Sequence, residues 1–279
     1  MKLKHMSKIH SSARGTQKAR KPRLRFAVFT MLPLTFAMSQ ALANPDGGVV
    51  VGGQAAITQK PGFTIIDQAS NRAIINWNGF SIDPGELTKF NQPGIDAVAL
   101  NRVIGSDPSQ LLGALEANGH VWLANPNGIL FGPSARIDVH GLLATTADIT
   151  NQDFMAGRNH FTIPSPNADA AVINQGTISI GQHGLAALVA PHVRNAGIIQ
   201  GKMGQVVIAG VPTFTLDFYG DGLIQFQATS KVTENTDPAE PLVRNDGTIS
   251  VDGGNVLITA NAAAGLVDET INMDGIVEA

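Results

Sequence analysis

The 279-residue sequence contains no cysteine, and it has few charged and few aromatic residues. Charged residues make up 15% of the chain and aromatic residues 5%. Without cysteine the chain forms neither a disulfide framework nor a cysteine-ligated metal centre. A chain of this length buries a sizeable core without disulfides, and the lack of thiols suits passage through an oxidising compartment. These absences favour an exported protein that is held together by packing.

Acidic residues are missing from the first 45 positions, whereas basic residues are concentrated there. Nine of the 19 basic residues precede Phe26, and the first acidic residue is Asp46. An apolar stretch runs from Phe26 to about Met38, and the small-x-small triplet ALA follows at 41–43. This layout is typical of a secretory signal peptide. We therefore predict that residues 1–43 are a signal peptide with an extended basic segment, handled by the Sec translocon and cleaved by signal peptidase.

Long apolar runs are also missing, because no uninterrupted stretch reaches the roughly 20 residues that a membrane-spanning helix needs. Residues 44–279 contain ten basic and 22 acidic residues, a net charge of −12 with neutral histidine. A surface of this charge repels phosphate backbones. We expect residues 44–279 to form a soluble domain after export, and we expect no nucleic-acid partner.

The chain does contain many short runs of Val, Ile, Leu and Ala separated by Gly, Asn and Pro, which is typical of many short strands. One pattern occurs three times, as "NQGTISIGQHGLAALVAP" from Asn174, "NAGIIQGKMGQVVIAGVP" from Asn195 and "NDGTISVDGGNVLITANA" from Asn245. The first two copies begin 21 positions apart, near one turn of a parallel β-helix, and the third begins 50 positions later. The repeats predict an all-β parallel β-helix, a solenoid, from which 214–244 leaves as an insertion.

Further features of this β-helix are predicted from its pattern. The copy "ARIDVHGLLATTADI" places Ile137 about two coils before Ile178, with an excursion at 154–166. The repeated Asn residues predict a ladder in which each side-chain amide bonds its own turn and the next coil. Segments 47–57 and 71–82 are the material for an N-terminal cap, since an open end exposes unpaired backbone. The repeats continue towards Ala279, so we expect a longer repetitive protein.

The segment "SDPSQLLGALEANG" at 106–119 departs from the strand pattern. Asp107 suits a helix N-cap, Pro108 suits the first helical position and Gly119 suits the stop. Three leucines between them share one helical face. The segment predicts one short helix or 3₁₀ turn on the solenoid flank, with a loop as the alternative.

No pattern of polar residues indicates catalysis or a cofactor. The carboxylates are scattered over turns without the clustering that a lyase or hydrolase site needs, at Asp67, Asp83, Asp96, Asp138 and Asp148. The histidines lack the close spacing of a zinc site, at His120, His140, His160, His183 and His192. Asp217 and Asp221 lie in a Gly-rich loop and are weak calcium candidates. We predict no enzyme activity, no cofactor and no metal.

The stretch "HVWLANPNGILFG" at 120–132 joins two apolar runs through a tight turn. Pro126 favours an extended Asn125 and fixes the first central position of the turn. The side chain of Asn125 can bond the backbone two residues further on, and Gly128 suits the fourth position. The binding or folding motif is therefore Asn125, Pro126, Asn127, Gly128 and Ile129. Turn chemistry favours a fold-nucleating corner, and direct contact with a partner is the alternative.

The run "INWNGFSIDPGELTKFNQPGIDAVALNRVIGSDPSQLLGALEANGHVWLANPNGILFGPSARIDVHGLLATTADI" resembles the secretion domain of two-partner-secretion exoproteins, also called the filamentous-haemagglutinin N-terminal or haemagglutination-activity domain. The segments "APHVRNAGII" and "LDFYGDGL" extend the resemblance. In that family a second Asn-Pro-Asn-Leu motif is common upstream, where this sequence has Asn91-Gln92-Pro93-Gly94. With this departure, the sequence resembles the subgroup of large high-molecular-weight adhesins.

The resemblance implies a right-handed parallel β-helix with an N-terminal cap and extra-helical hairpins. It implies a secretion and folding-nucleation role, in which a cognate outer-membrane β-barrel transporter binds the chain through periplasmic POTRA-type modules. It also implies that the exoprotein is secreted or displayed on the surface of a Gram-negative bacterium. The passenger, which is the part of such an exoprotein beyond the secretion domain, can contact host glycans or proteins. The alternative function is a self-sufficient β-helix module that binds carbohydrate or a host protein.

Overall fold

The computed structural model describes residues 44–218, 224–235 and 237–279. The signal peptide predicted at 1–43 and the calcium candidate Asp221 lie outside these residues. Within them the chain forms 24 strands and one short helix. No helix of the described part is long and apolar enough to cross a membrane.

The elements are numbered in chain order. The strands are β1 Val49–Gly52, β2 Ala55–Lys60, β3 Phe63–Gln68, β4 Arg72–Trp77, β5 Leu87–Asn91, β6 Val98–Val103, β7 Ser109–Leu111, β8 Ala114–Ala124, β9 Ile129–Phe131, β10 Arg136–Thr145, β11 His160–Phe161, β12 Ala171–Asn174, β13 Thr177–Ile180, β14 Leu185–Ala190, β15 His192–Asn195, β16 Ile198–Lys202, β17 Gln205–Gly210, β18 Phe214–Phe218, β19 Ile224–Ala228, β20 Val243–Asn245, β21 Thr248–Asp252, β22 Asn255–Ala260, β23 Ile271–Met273 and β24 Ile276–Glu278. The helix α1 is Asn151–Met155.

Successive coils stack their strands in parallel, which confirms the predicted β-helix. One ladder joins β4, β6, β8, β10, β13, β16, β21 and β24. A second joins β7, β9, β12, β15, β20 and β23, and a third joins β10, β14, β17 and β22. The three repeats found in the sequence are three consecutive coils, because Ile178 pairs with Ile199 and Ile199 pairs with Ile249. These isoleucines are fully buried and stack inside the helix.

The asparagine ladder is confirmed. Asn174, Asn195 and Asn245 are fully buried in register on β12, β15 and β20. Asn174 Nδ2 donates to Asn195 Oδ1 at 2.8 Å, and Asn195 Nδ2 donates to Asn245 Oδ1 at 2.7 Å. The side-chain oxygens of Asn174 and Asn195 also accept from the backbone N–H of the Gly two residues on. Each of these two amides thus binds its own turn and the next coil.

The N-terminal end is closed by antiparallel strands, as the predicted cap requires. β1 pairs antiparallel with β4, and β2 pairs antiparallel with β3. Trp77 is fully buried at the end of β4, and its Nε1 donates to Asn101 Oδ1 at 3.0 Å. Gly48 lies against this indole, where a β-carbon would come within 2.4 Å of the ring. The small residue lets the chain cross the ring closely.

Two excursions cover the outside of one helix face. The first carries α1 and β11, and the second is the antiparallel hairpin β18–β19, which pairs with β11. Phe161 and Phe214 stack at 4.6 Å, and Trp122 contacts Phe154 and Phe161. This outer cluster covers the outer face of β14, which explains why β14 is buried at every position and has no polar residue on that face. Strands buried on both faces are continuously apolar.

Three sequence predictions require correction. Ile137 pairs directly with Ile178, so they lie one coil apart, and the first excursion accounts for the extra residues. The insertion predicted to reach Arg244 ends earlier, because β20 returns to the helix at Val243.

The helix predicted at 106–119 is also wrong, since this segment forms β7 and the start of β8. Leu111 and Leu115 are fully buried as strand residues. β7 bonds β9, and β8 bonds β5 and β10, so coil stacking supplies backbone partners that outweigh the local helix signals. The one helix in the described part lies in the first excursion, where Thr150 caps it by accepting from the Asp153 N–H.

Candidate functional site

The motif at 125–129 forms the corner between β8 and β9. The Gly128 N–H donates to the Asn125 carbonyl at 3.1 Å, which closes the turn. Asn125 Oδ1 accepts from the Asn127 N–H at 2.9 Å, two residues on. Gly128 has a φ of 109°, a conformation that favours glycine. This is the turn geometry that the sequence predicted.

The corner is fastened to the preceding coil by its two asparagines. Asn125 Nδ2 donates to the Asp107 carbonyl and to Ser109 Oγ, both at 3.0 Å. Asn127 Nδ2 donates to the Gly105 carbonyl at 2.9 Å. The turn therefore holds the loop at 105–109 of the preceding coil. Directly after the turn, Ile129 of β9 pairs with Ser109 of β7.

The motif exposes little of itself. Asn125 is fully buried, whereas Pro126 and Asn127 are half-buried. The Pro126 carbonyl accepts from Ser165 Oγ at 2.6 Å, a residue of the first excursion. The corner therefore forms hydrogen bonds with the coil before it and with the excursion after it, and these bonds serve to connect parts of the fold.

The upstream segment at 91–94 makes a different arrangement. Asn91 is exposed and donates to Asp67 Oδ1 at 2.8 Å. Gln92 is buried, and its Nε2 donates to Gln68 Oε1 at 3.0 Å. Gln92 also exchanges backbone hydrogen bonds with the Asn118 side chain. Sequence analysis missed this second amide ladder, although the 24-position spacing of Gln68 and Gln92 is close to one coil.

Two of the five histidines named above are in contact. His120 and His140 meet edge to face with ring centroids 5.2 Å apart. Burial lowers the pKa of His120 to about 4, and burial also lowers the pKa of His140. Their separation of 20 positions is close to one coil, so the repeat period carried a signal for this contact. Among the residues that the structure describes, no group of three or more His, Cys, Asp or Glu is placed to hold a metal ion.

The carboxylates are spread over the surface. Asp148 pairs with Arg102 at 2.7 Å, and this arginine also donates to the Ile149 carbonyl, which anchors the first excursion. Asp96 is exposed at a turn, whereas Asp138 is exposed on β10 and Asp217 on β18, so the expectation that these carboxylates lie at turns is wrong for Asp138. Asp67 accepts from Asn91 as described above. The structure brings Asp96 and Asp217 to one cavity, together with His120, and leaves Asp67, Asp83, Asp138 and Asp148 outside it.

Comparison with known proteins gives matches over most of the chain. The family model described as "TPS secretion domain" matches residues 41–279. A heme/hemopexin-binding protein of Haemophilus influenzae strain Rd is 30% identical over 231 residues, which is 81% of this chain and 24% of the relative. A second heme/hemopexin-binding protein of Haemophilus influenzae is 43% identical over 111 residues, 40% of this chain and 12% of the relative. This chain therefore spans a quarter or less of the length of these relatives.

One solved structure is similar at the level of both fold and sequence. The HMW1 secretion domain from Haemophilus influenzae matches with a TM-score of 0.68 and 30% sequence identity, and the match covers 85% of this chain and 65% of that one. The predicted fold class, a right-handed parallel β-helix with an N-terminal cap and extra-helical hairpins, is confirmed.

Proposed function

Since the chain belongs to the TPS secretion domain family, we propose that it is the secretion and folding-nucleation domain of a large adhesin- or haemagglutinin-type exoprotein. In this proposal a cognate outer-membrane β-barrel transporter recognises the chain in the periplasm through POTRA-type modules. The exoprotein reaches the cell surface or the medium of a Gram-negative bacterium. The observation that carries the proposal is the family match over residues 41–279.

The proposal is limited to secretion and folding. The first relative is named for binding heme or hemopexin, but the matched part is 24% of its length. We therefore propose no heme or hemopexin binding for this chain. We also propose no catalytic role, since the carboxylates described above serve ion pairs, turns and the rim of one cavity.

The fold supports the nucleation part of this proposal. A single coil of a β-helix cannot bury its own apolar residues, so later coils need a stable unit on which to stack. The antiparallel cap and the buried Trp77 cover the first coil, so this coil needs no earlier coil to stack on. The asparagine ladder then sets the register between later coils. We propose that the capped N-terminal coils form first and that each later coil adds to the edge before it.

Within this scheme the motif at 125–129 acts as a folding corner. Its side-chain amides are bonded to the chain's own loop at 105–109, and Asn125 is fully buried. A transporter that met the folded domain would reach mainly Pro126 and Asn127. The burial of Asn125 supports the folding role over direct transporter contact.

The test is co-expression of the full chain with and without its candidate transporter, with the chain quantified in the medium. A transporter that lacks its periplasmic modules is the matched control. We expect release only with the intact transporter, because recognition is assigned to those modules. Equal release without the transporter would contradict the proposal and favour the alternative of a self-sufficient binding module.

A further inference from the structure

A cavity of about 490 Å³ lies where the two excursions meet the outer face of the β-helix. Its floor is one column of the ladder, because Arg72 pairs with Val98 and Val98 pairs with His120 on three successive coils. The walls come from the excursions, through Gly157 and Asn159 of the first and Asp217 of the second. A cavity of this size is in the range that holds a small molecule.

Arg72 is held rigidly in this floor. Its Nη1 donates to the Phe154 carbonyl at 2.9 Å and to Asn159 Oδ1 at 3.3 Å. The guanidinium carbon lies 4.9 Å from the Phe154 ring centroid and 5.9 Å from that of Trp122. These contacts fix the plane of the guanidinium, which reduces the entropy that a ligand must overcome on binding.

The other edge of the same guanidinium is available. Among the described residues, Nε and Nη2 of Arg72 have no hydrogen-bond partner, and no carboxylate forms an ion pair with this arginine. A β-carbon on Gly157 would lie 3.9 Å from Nη2, so the space beside that nitrogen is open. A fixed guanidinium edge with two parallel N–H groups matches the two oxygens of a carboxylate.

The rim restricts what kind of anion fits. Asp96 and Asp217 are exposed carboxylates that line the same cavity, and His120 is uncharged at neutral pH because burial lowers its pKa to about 4. Two carboxylates disfavour a multiply charged anion such as phosphate. They accept hydrogen bonds from hydroxyl or ammonium groups instead.

We propose that this cavity is a binding site for a small monocarboxylate that also carries hydrogen-bond donors. The ligand carboxylate bonds Nε and Nη2 of Arg72, and its hydroxyl or ammonium groups bond Asp96 and Asp217. Sugar acids and amino acids share this chemistry. The site is separate from the corner at 125–129 and extends the function beyond secretion.

The proposal is tested by isothermal titration calorimetry of the purified chain at pH 7 and low salt. Galacturonate and serine represent the two ligand sources, and galactose, acetate and phosphate are the controls. We expect saturable binding of galacturonate, serine or both, with acetate and phosphate weaker by about tenfold because they lack donors or carry excess charge. Tighter binding of galacturonate would identify sugar acids as the ligand class, and tighter binding of serine would identify amino acids. Galactose binding equal to galacturonate binding, or no saturable binding of either carboxylate, overturns the proposal.

Variants assign the binding to this cavity. We expect Arg72→Gln to weaken binding at least about tenfold, and Arg136→Gln, which removes an exposed arginine elsewhere, to leave it unchanged. Because Arg72 also anchors the first excursion, the double variant Asp96→Asn and Asp217→Asn provides a second test at exposed positions. It should lower the ratio of galacturonate to acetate affinity several-fold, because the hydroxyls of galacturonate lose charged acceptors that acetate does not use, whereas the fall in repulsion is shared by both anions. An unchanged ratio overturns the proposal even if Arg72→Gln fails to fold.

Discussion

Asn195 lies at the centre of the asparagine ladder and bonds a partner on each side. We expect Asn195→Ala to lower the free energy of unfolding by about 2–5 kcal/mol, because two buried amides each lose a partner. Asn245→Ala should cost about half as much, since Asn245 has a ladder partner on one side only. Urea unfolding followed by circular dichroism measures both. Equal losses of unfolding free energy in the two variants would show that the hydrogen bonds of the asparagine ladder do not determine its stability.

His120 gives the fold a dependence on pH. Burial is the largest cause of its lowered pKa, followed by repulsion from His140, and the folded value is about 4 against an ordinary value of 6.5. Between these two values the unfolded chain binds a proton at this site that the folded chain does not bind. The free energy of unfolding therefore falls as pH falls from 6.5 towards 4, by about 3 kcal/mol in total.

The measurement is urea unfolding at pH 7, 5.5 and 4.5, compared with the variant His120→Gln. Other groups also titrate in this window, so the difference between the two proteins isolates the histidine. We expect the wild-type chain to lose more stability than the variant on acidification. Parallel stability curves would mean that protonation of His120 is tolerated in the folded state.

At the scale of elements, the N-terminal cap depends on one buried ring. We expect Trp77→Ala to lower the free energy of unfolding by about 3–5 kcal/mol, because it leaves a cavity and removes the donor to Asn101. Phe63→Ala is a matched control, since that ring is 49% exposed on the cap strand β3, and it should cost less than about 1 kcal/mol. Similar costs for the two variants would show that the cap is not built on the indole.

The corner at 125–129 is tested by its effect on folding rate. Asn127→Ala removes the bond to the Gly105 carbonyl and loosens the turn, so we expect refolding from urea to slow several-fold. Asn91→Ala is the control, because the side chain of that exposed asparagine donates to Asp67 Oδ1 and, among the described residues, to no other partner. Stopped-flow fluorescence of the tryptophans measures the rates. Normal refolding of purified Asn127→Ala together with lost secretion would favour direct transporter contact instead.

The sequence predicted the three repeated coils and the turn at 125–128, and it misjudged the segment at 106–119 and the coil spacing before Ile178. Asn174, Asn195 and Asn245 recur with the coils, so both the ladder and the coil order followed from spacing. The segment at 106–119 carries Asp107, Pro108 and Gly119, which are good local helix signals, yet backbone pairing with β5, β9 and β10 outweighs them. The cavity at Arg72 could not be predicted, because two excursions from distant parts of the chain form its walls.

At the scale of the whole molecule, the outer face explains how a thin solenoid forms a large core. The strands that face the excursions bury both faces, and Trp122, Phe154, Phe161 and Phe214 form a second apolar cluster outside the helix. The excursions therefore widen the core in the middle of the chain. The last coils have no such cover, since Leu257 is 42% exposed and Ile276 is 56% exposed.

This gradient predicts unequal hydrogen exchange along the chain. Among the described residues β24 pairs only with β21 and β22 pairs only with β17, so we expect their amides to exchange well before those of β10 and β14, which lie between covered coils. β4 is the control, because it lies near the other end of the stack but is paired on both sides by β1 and β6. Its amides should be as protected as those of β10. Native-state exchange followed by mass spectrometry resolves these segments, and uniform protection from β4 to β24 would mean that all coils open as one unit.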